Sequence, residues 1–317
     1  SLQSGDCGTV ANVQGSHLMF HPDTAATMRN VGLLKPSGRC YTWDARADGI
    51  VFGEACLAVT LSFLLTFASL SVISVQGVTV RQDGRTAVLT APNGSAQQLL
   101  YRDSLRVAGT TEQELSICAL HGTGTQLGDP VEAGSLSAVV LKAANSDCAV
   151  TGIKANTGHT GAAGGLAALL IMALNSLQSK AHPHAQLRLM STPVHHVLKA
   201  SKACVPVAVT SIIPSLPGHV TGGVNSFGWN GTIVHGVLFA DHASILDKPR
   251  MPQRLAFRRL AFAVGPAVSR LAAASTLQNS VEGSRSAHSQ VEEAPHAVSV
   301  EEVVNIVCKL TASNSSE

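Results

Sequence analysis

The sequence predicts an α/β fold, and two patterns support this prediction. Runs typical of buried strands (Leu115–Leu120 and Ala149–Ile153) alternate with runs of helical character (Asp129–Ala144 and Gly161–Leu177). The second helical run is apolar nearly all round and rich in glycine and alanine, which is typical of a buried, closely packed helix. Together these patterns favour helices layered on a sheet.

Composition narrows the class of protein. The 317 residues suffice for one large domain or two ordinary ones. Charged residues make up 13%, about half the usual share, which indicates extensive burial in a core or against a partner. A net charge of +2 argues against a nucleic-acid-binding protein. No basic segment leads into an apolar one near Ser1, so any targeting signal is expected upstream and the expected location is cytoplasmic or plastid.

The cysteines predict neither a metal site nor a disulfide framework. None belongs to a CxxC pair, so zinc is not expected, and an odd, scattered set is typical of reduced thiols. The seven are Cys7, Cys40, Cys56, Cys118, Cys148, Cys204 and Cys308.

The segment Leu57–Val75 is almost wholly apolar or small and long enough to cross a membrane. We favour two buried strands with a short connection, because β-branched residues cluster at Val72, Ile73 and Val75. A membrane span, or an unspliced or frame-shifted stretch of coding sequence, are the alternatives.

Turn signals predict the next boundaries. Ala91–Gly94 is a turn, Ser95 is a candidate cap for a helix through Val107, and Gly109 is expected to end that helix. Residues 270–296 have the composition of a linker. Val298–Leu310 returns to helical spacing.

Three glycine-rich motifs carry the candidate chemistry. The first runs His121-Gly122-Thr123-Gly124-Thr125 and continues to Glu132; the second runs from Lys154 to His159 and on into Gly161–Leu166; the third is Asn225–Thr232. In the first two a strand ends, a polar loop carries a histidine and a helix begins. A neutral imidazole in such a loop can donate a hydrogen bond to a developing oxyanion. Taken singly, the first and third motifs could be ordinary glycine-rich turns.

Taken together, the motifs resemble the signatures of β-ketoacyl synthases from type I polyketide synthases: HGTGT with GDPxE, KxNxGHxxGAAGG and NSFGxxGT. Asp44–Gly49 with Gly53-Glu54, and Gln82–Arg85 with Leu89–Gly94, resemble two further stretches of that family. The resemblance extends from Ser1 to about Phe239.

The resemblance implies a thiolase-like layered fold (αβαβα), represented here by the C-terminal part of the domain and the end of its N-terminal half. It implies a homodimeric parent that performs a decarboxylative Claisen condensation. An acyl thioester is joined to a malonyl-type thioester, both delivered by an acyl carrier protein. Phosphopantetheine is then carried by that partner, and no cofactor or metal is expected on this chain.

The resemblance also assigns site residues. His121 and His159 match the two histidines that hydrogen-bond the malonyl thioester as the enolate forms. Lys154 and Glu132 match a lysine and an acidic partner that order the site electrostatically. Residues expected to bind the substrate and its pantetheine arm are Thr123, Thr125, Phe227, Gly228 and Trp229, whose backbone N–H is expected to be an oxyanion donor.

The nucleophile is the main departure from the family. The family's cysteine lies in a DTACSS-like segment about 20 residues before the stretch that matches Ser1–Cys7. None of the seven cysteines has that context. We therefore expect an N-terminally incomplete synthase that is inactive in condensation. The rival hypotheses are a non-elongating decarboxylase or carrier-binding relative, and a membrane-associated interaction protein held by residues 57–75.

The predicted organisation has three parts. Residues 1–240 form the incomplete synthase domain and residues 241–296 form a linker. Residues 297–317 are either the start of an acyl carrier domain or a short docking helix.

Overall fold

A computed structural model describes residues 10–19, 22–30, 32, 34, 37–63, 73–86, 91–241 and the backbone of 305–308. The chain divides into a unit of residues 1–247 with 303–317 and a second unit, 248–302, of which no residue lies in the described ranges. The predicted linker at 270–296 therefore lies outside the described residues, and the predicted domain boundaries stay predictions.

The described elements alternate as the sequence predicts. The helices are α1 (Pro22–Asn30), α2 (Gly94–Ala108), α3 (Gly128–Leu136), α4 (Lys154–Thr157), α5 (Gly164–Gln178) and α6 (Thr192–Leu198). The strands are β1 (Val10–His17), β2 (Ala55–Phe63), β3 (Ile73–Gln82), β4 (Leu115–Ala119), β5 (Cys148–Thr151), β6 (Lys180–Ala181), β7 (Ala203–Cys204), β8 (Thr210–Ser211), β9 (His219–Phe227), β10 (Thr232–Asp241) and β11 (Asn305–Cys308).

A six-stranded mixed sheet with the order β3-β10-β9-β4-β5-β7 organises this unit. Strands β9, β4, β5 and β7 run parallel, while β10 lies between β9 and β3 and pairs with each of them in antiparallel fashion. Because the carboxyl ends of parallel strands meet at one edge, the residues that follow β4, β5 and β9 lie together.

Alternating side chains of the sheet bury two apolar layers. On one face Leu120, directly after β4, joins Tyr101 and Leu136 from α2 and α3. On the other face Ile117 of β4 packs with Met172 of α5. Since successive residues of a strand point to opposite faces, β4 is buried on both sides, as its continuous apolar run predicts.

The apolar segment 57–75 contributes to two strands. Ala55–Phe63 forms β2, which pairs with β1 and β11 in a second sheet, and Ile73–Gln82 forms β3 at the edge of the six-stranded sheet. Val59 and Ile73 are both buried in the layer that contains α5. The prediction of two strands is confirmed: β3 is buried over residues 73–75, whereas β2 alternates, with Val59 buried and Cys56 and Ala58 exposed. Residues 64–72 lie outside the described part of the chain.

Within the described residues, one helical segment has the length and hydropathy of a membrane-crossing helix. It is Gly161–Gln178, with a mean hydropathy of 1.4 and 39% of its residues buried. Its buried residues, among them Ala168 and Met172, face the sheet, and the other residues from 164 to 177 are half-buried. The sequence predicts burial nearly all round; the structure buries one face fully and the rest in part.

Two helix boundaries differ from the predictions. The side chain of Asn93, not Ser95, caps α2 by accepting from the backbone N–H of Ser95 (3.0 Å) and Ala96 (3.2 Å). Gly109 ends α2 in the left-handed conformation, as predicted. The helix predicted over Asp129–Ala144 begins at Gly128 and gives way to a π-helical turn at Ser137–Leu141.

The helix predicted from the spacing of apolar residues in Val298–Leu310 is wrong for part of that segment. Asn305–Cys308 forms β11, which pairs with β2 in parallel. Valine and isoleucine fit a pleated strand as well as a helical face, so a short apolar repeat does not separate the two.

Candidate active site

The site is built from three loops at the carboxyl edge of the parallel strands. His121 follows β4, the Lys154–His159 loop follows β5, and Phe227 ends β9 at its hairpin with β10. The His121 and His159 rings lie with centroids 5.7 Å apart, nearly perpendicular. The sheet thus brings together the three sequence motifs.

A backbone donor fixes the ring of His121. Its Nδ1 lies 3.1 Å from the Phe227 backbone nitrogen, and the two rings pack with centroids 5.3 Å apart. Because a backbone N–H can only donate, Nδ1 accepts and the proton of the neutral ring resides on Nε2. Burial lowers the pKa of His121 well below its usual value, with further contributions from Lys154 and His159.

His159 is held in the same way by a different loop. The Gly161 N–H donates to its Nδ1 at 3.0 Å, which again leaves the proton on Nε2. Burial, the Lys154 charge and His17 lower the pKa of His159 to about 4. Both imidazoles are therefore neutral hydrogen-bond donors at neutral pH.

The Glu132 carboxylate shapes the loop that carries His121. Its oxygens accept from the backbone N–H groups of His121 (2.7 Å) and Gly122 (2.9 Å), and Asn225 Nδ2 donates to Oε1 at 2.8 Å. Burial raises the pKa of Glu132, although these hydrogen bonds oppose the shift. The carboxylate thus orients the backbone of the first motif.

Lys154 acts on the same loop through a different group. Its Nζ donates to the His121 carbonyl at 2.5 Å, so its link to Glu132 is electrostatic across that loop rather than a direct ion pair. The role that the resemblance implies for Lys154 and Glu132, ordering the site electrostatically, is compatible with these contacts and stays a prediction. Burial lowers the pKa of Lys154 to about 8, and the Glu132 charge opposes this.

Asp129 is a buried site residue that the sequence interpretation left unassigned. Its carboxylate accepts from the backbone N–H groups of Trp43 (2.7 Å) and Gly124 (3.0 Å). Burial raises the pKa of Asp129 to about 7, and Glu132 adds to this. The GDPxE spacing, which puts both carboxyls on one turn of α3, is the sequence signal that points to it.

The predicted substrate-binding residues belong to the loop that carries His121 and to the hairpin between β9 and β10. The hydroxyls of Thr123 and Thr125 are 3.3 Å apart, and Thr125 Oγ1 accepts from the Gly128 N–H. Phe227 packs on His121. Gly228 closes the hairpin turn, and the Trp229 side chain is 49% exposed. Their roles in binding stay predictions.

Asp44 links two segments that are far apart in the sequence. Its buried carboxylate accepts from the Arg46 side chain (2.7 and 3.0 Å) and from the backbone N–H of Arg188 (2.7 Å). Burial opposes ionisation, yet these bonds hold the pKa of Asp44 well below its usual range. The DARADG motif contains Asp44. Arg188, to which Asp44 bonds, is 144 residues away in the sequence, so motif spacing could not predict this contact.

Three of the described cysteines have thiol pKa values raised by their surroundings. Cys40 has its sulfur 3.4 Å from both the N–H and the carbonyl of Val51, and burial raises its pKa. The Cys118 and Cys148 sulfurs are 3.7 Å apart in the core, and their hydrogen bond together with burial raises the pKa of Cys148 well above its usual value. Burial also raises the pKa of Cys204.

Two protein-family models match this chain, one after the other along the sequence. Residues 1–65 match the N-terminal domain of β-ketoacyl synthases, and residues 72–188 match the C-terminal domain. The chain is 33% identical to the lovastatin diketide synthase of Aspergillus terreus over 241 residues, 75% of this chain and 9% of that protein. A phenolphthiocerol/phthiocerol polyketide synthase component from Mycobacterium tuberculosis is 40% identical over 141 residues, which are 44% of this chain and 6% of that protein.

Solved structures share the fold. The ketosynthase from module 6 of the bacillaene synthase of Bacillus subtilis 168 superposes with a TM-score of 0.68 and 29% identity. The oxazolomycin ketosynthase domain OzmH KS7 of Streptomyces albus JA3453 gives the same TM-score at 26% identity. The chain spans 42% of each of those chains, and 73% and 76% of it is covered. The predicted thiolase-like fold is confirmed.

Proposed function

Because this chain belongs to the β-ketoacyl synthase family, we propose that it takes part in decarboxylative Claisen condensation during polyketide synthesis. The substrates would be an acyl thioester and a malonyl-type thioester carried on the phosphopantetheine arm of an acyl carrier protein. The intact parent would work as a homodimer.

The paired neutral histidines are the observation that carries this proposal. When a malonyl thioester loses CO₂, the electron pair of the broken C–C bond moves into an enolate, and negative charge gathers on the thioester oxygen. His121 and His159, each with the proton on Nε2, are two donors that could meet that oxygen. Such preorganised donors stabilise charge that exists only as the reaction proceeds.

The surrounding groups support the same chemistry. Lys154 and Glu132 bind opposite polar groups of the His121 backbone, its carbonyl and its N–H, so they fix that histidine without needing to exchange protons. Thr123 and Thr125 lie on the same loop and offer hydroxyls to a pantetheine amide.

Condensation additionally needs an activated thiol. This thiol must first attack the carrier-bound acyl thioester and take up the acyl group, and the enolate then attacks the new thioester. Among the described cysteines, Cys40, Cys148 and Cys204 all have pKa values raised by their surroundings. A second candidate function, in which the site decarboxylates or holds carrier-bound malonyl groups without extending them, needs only the paired histidines.

One assay separates the candidates. The intact parent protein is incubated with malonyl-carrier and acyl-carrier protein, and released CO₂ and β-ketoacyl product are both quantified. CO₂ without condensed product supports the non-elongating function, and both products together support condensation. No CO₂ release above the uncatalysed rate would contradict both.

Matched variants identify the site in that assay. We expect His121→Ala or His159→Ala to lower CO₂ release by about 10²–10³-fold, the usual effect of losing one oxyanion donor. The exposed His196 gives a matched control, His196→Ala, that should leave the rate unchanged.

A further inference from the structure

His17 is a third histidine next to the site, and none of the sequence motifs contains it. It is the last residue of β1, and its Nδ1 lies 2.9 Å from the Gly53 carbonyl. Since a carbonyl can only accept, Nδ1 carries a proton and donates it. This fixes the plane of the half-buried ring.

The other side of the ring packs directly on Gly161. A Cβ added at Gly161 would lie 2.7 Å from His17 Cγ and 2.8 Å from Nε2, well inside van der Waals contact. Gly161 also has a φ of +48°, a conformation that residues with a Cβ rarely adopt. The imidazole therefore occupies the space that any side chain at Gly161 would need.

Both residues that His17 touches also hold His159. Gly161 donates its N–H to His159 Nδ1 at 3.0 Å, and Gly53 donates its N–H to the His159 carbonyl at 3.0 Å. The Phe52 ring lies alongside, with its centroid 5.0 Å from that of His17 and 6.2 Å from that of His159. His17 thus supports His159 at two points.

We propose that His17 is a positioning residue that keeps His159 in its Nε2–H tautomer by holding Gly161 against Nδ1 and Gly53 against the His159 carbonyl. This inference rests on the proposed function, which needs the Nε2–H donor. A residue that only filled space would affect the stability of the fold but not the distribution of the His159 proton between its two nitrogens.

The tautomer can be measured without any turnover. The full chain is labelled with ¹⁵N-histidine, and long-range ¹H–¹⁵N spectra are recorded at about pH 7.5, where His159 is neutral because its pKa is lowered to about 4. The His159 signals are assigned from a His159→Gln variant. His121, whose Nδ1 is held by Phe227 instead, serves as an internal reference for an intact fold.

Three variants separate the effect of the contact between His17 and Gly53 from that of the contact between His17 and Gly161. His17→Ala removes both, His17→Asn keeps a donor near Gly53, and His17→Phe keeps a ring on Gly161. We expect His17→Ala to raise the ratio of Nδ1–H to Nε2–H in His159 by about tenfold, the worth of one backbone hydrogen bond. The other two should shift it in the same direction by less, and His196→Ala should leave it unchanged.

An unchanged His159 ratio in every His17 variant with native His121 signals would overturn the proposal. Should His17→Ala fail to fold, His17→Asn and His17→Phe decide the matter by the same criterion. A wild-type chain with His159 in the Nε2–H form that nevertheless releases no CO₂ would contradict the proposed function alone, and the variant spectra would still decide the role of His17.

Discussion

At the scale of single residues, the site combines neutral histidines with buried carboxyls. Burial lowers the imidazole pKa values and raises those of Asp129 and Glu132. Both shifts reduce the charge that the core must accommodate, because burial disfavours the ionised form of either group. The residues of the three motifs could be predicted from sequence, whereas His17 could not, because its link to His159 runs through two backbone contacts.

His235 gives a pH-dependent prediction at this scale. It is buried against Tyr101, its Nδ1 bonds to Ser104 Oγ, and burial lowers its pKa to about 3. Because the unfolded chain takes up this proton near 6.5 and the folded chain only near 3, His235 costs stability as pH falls through that window. We expect His235→Gln to be less stable than wild type at about pH 8, where both states of His235 are neutral.

The stability difference between wild type and His235→Gln should shrink by at most about 1.4 kcal/mol per pH unit below about pH 6.5. Urea unfolding at about pH 8, 6 and 4.5 measures it. A difference that stays constant over this range would contradict the predicted burial of a neutral imidazole.

At the scale of elements, helix ends show where local sequence is informative and where it is ambiguous. Gly109 could be predicted as the end of α2 because its left-handed conformation demands glycine. The start could not be assigned to the correct residue, because Asn93 and Ser95 are both good capping residues and only the hydrogen bonds distinguish them. The strand at Asn305–Cys308 depends on pairing with β2, which no local pattern reports.

Gly109 and Gly134 form a matched pair for testing backbone conformation. Gly109 has φ +65° and no atom within 4 Å of an added Cβ, so Gly109→Ala should destabilise the chain through backbone strain alone, by about 1–2 kcal/mol. Gly134 lies inside α3, and its added Cβ would only touch Val197 at 3.9 Å. Gly134→Ala should be neutral or stabilising by up to about 1 kcal/mol. Thermal unfolding of both variants tests this, and equal effects would refute the conformational explanation.

At the scale of the whole molecule, long-range contacts position the motif loops. The α/β fold, with helices layered on a sheet, could be predicted from the alternation of apolar strands and helices. The position of residues 40–53 in the fold could not be predicted from the sequence. It depends on polar contacts between segments that are far apart in the chain. Asp44, which bonds to residue 188, is the clearest case.

Asp44→Asn should therefore weaken the whole unit. The carboxylate is buried and its pKa is depressed, so its contribution is present above the unfolded value of 3.8 and is lost as pH falls below it. We expect the substitution to cost about 1–3 kcal/mol at about pH 7 and less at about pH 3. The partly exposed Asp48, substituted to asparagine, provides the control, and a loss for Asp44→Asn that is as large in acid as at neutral pH would contradict this explanation.

The backbone N–H groups of Phe227 and Gly161, which donate to the two imidazoles, also determine which substitutions are compatible with the site. Phe227 supplies its main-chain N–H to His121, so that hydrogen bond does not depend on which side chain residue 227 carries. Proline alone among the amino acids lacks that hydrogen. A substitution at position 227 other than proline can therefore change the side chain that packs on His121 while the histidine keeps its proton on the same nitrogen. At Gly161, by contrast, the same kind of donor leaves no such freedom, because the His17 ring fills the space beside it.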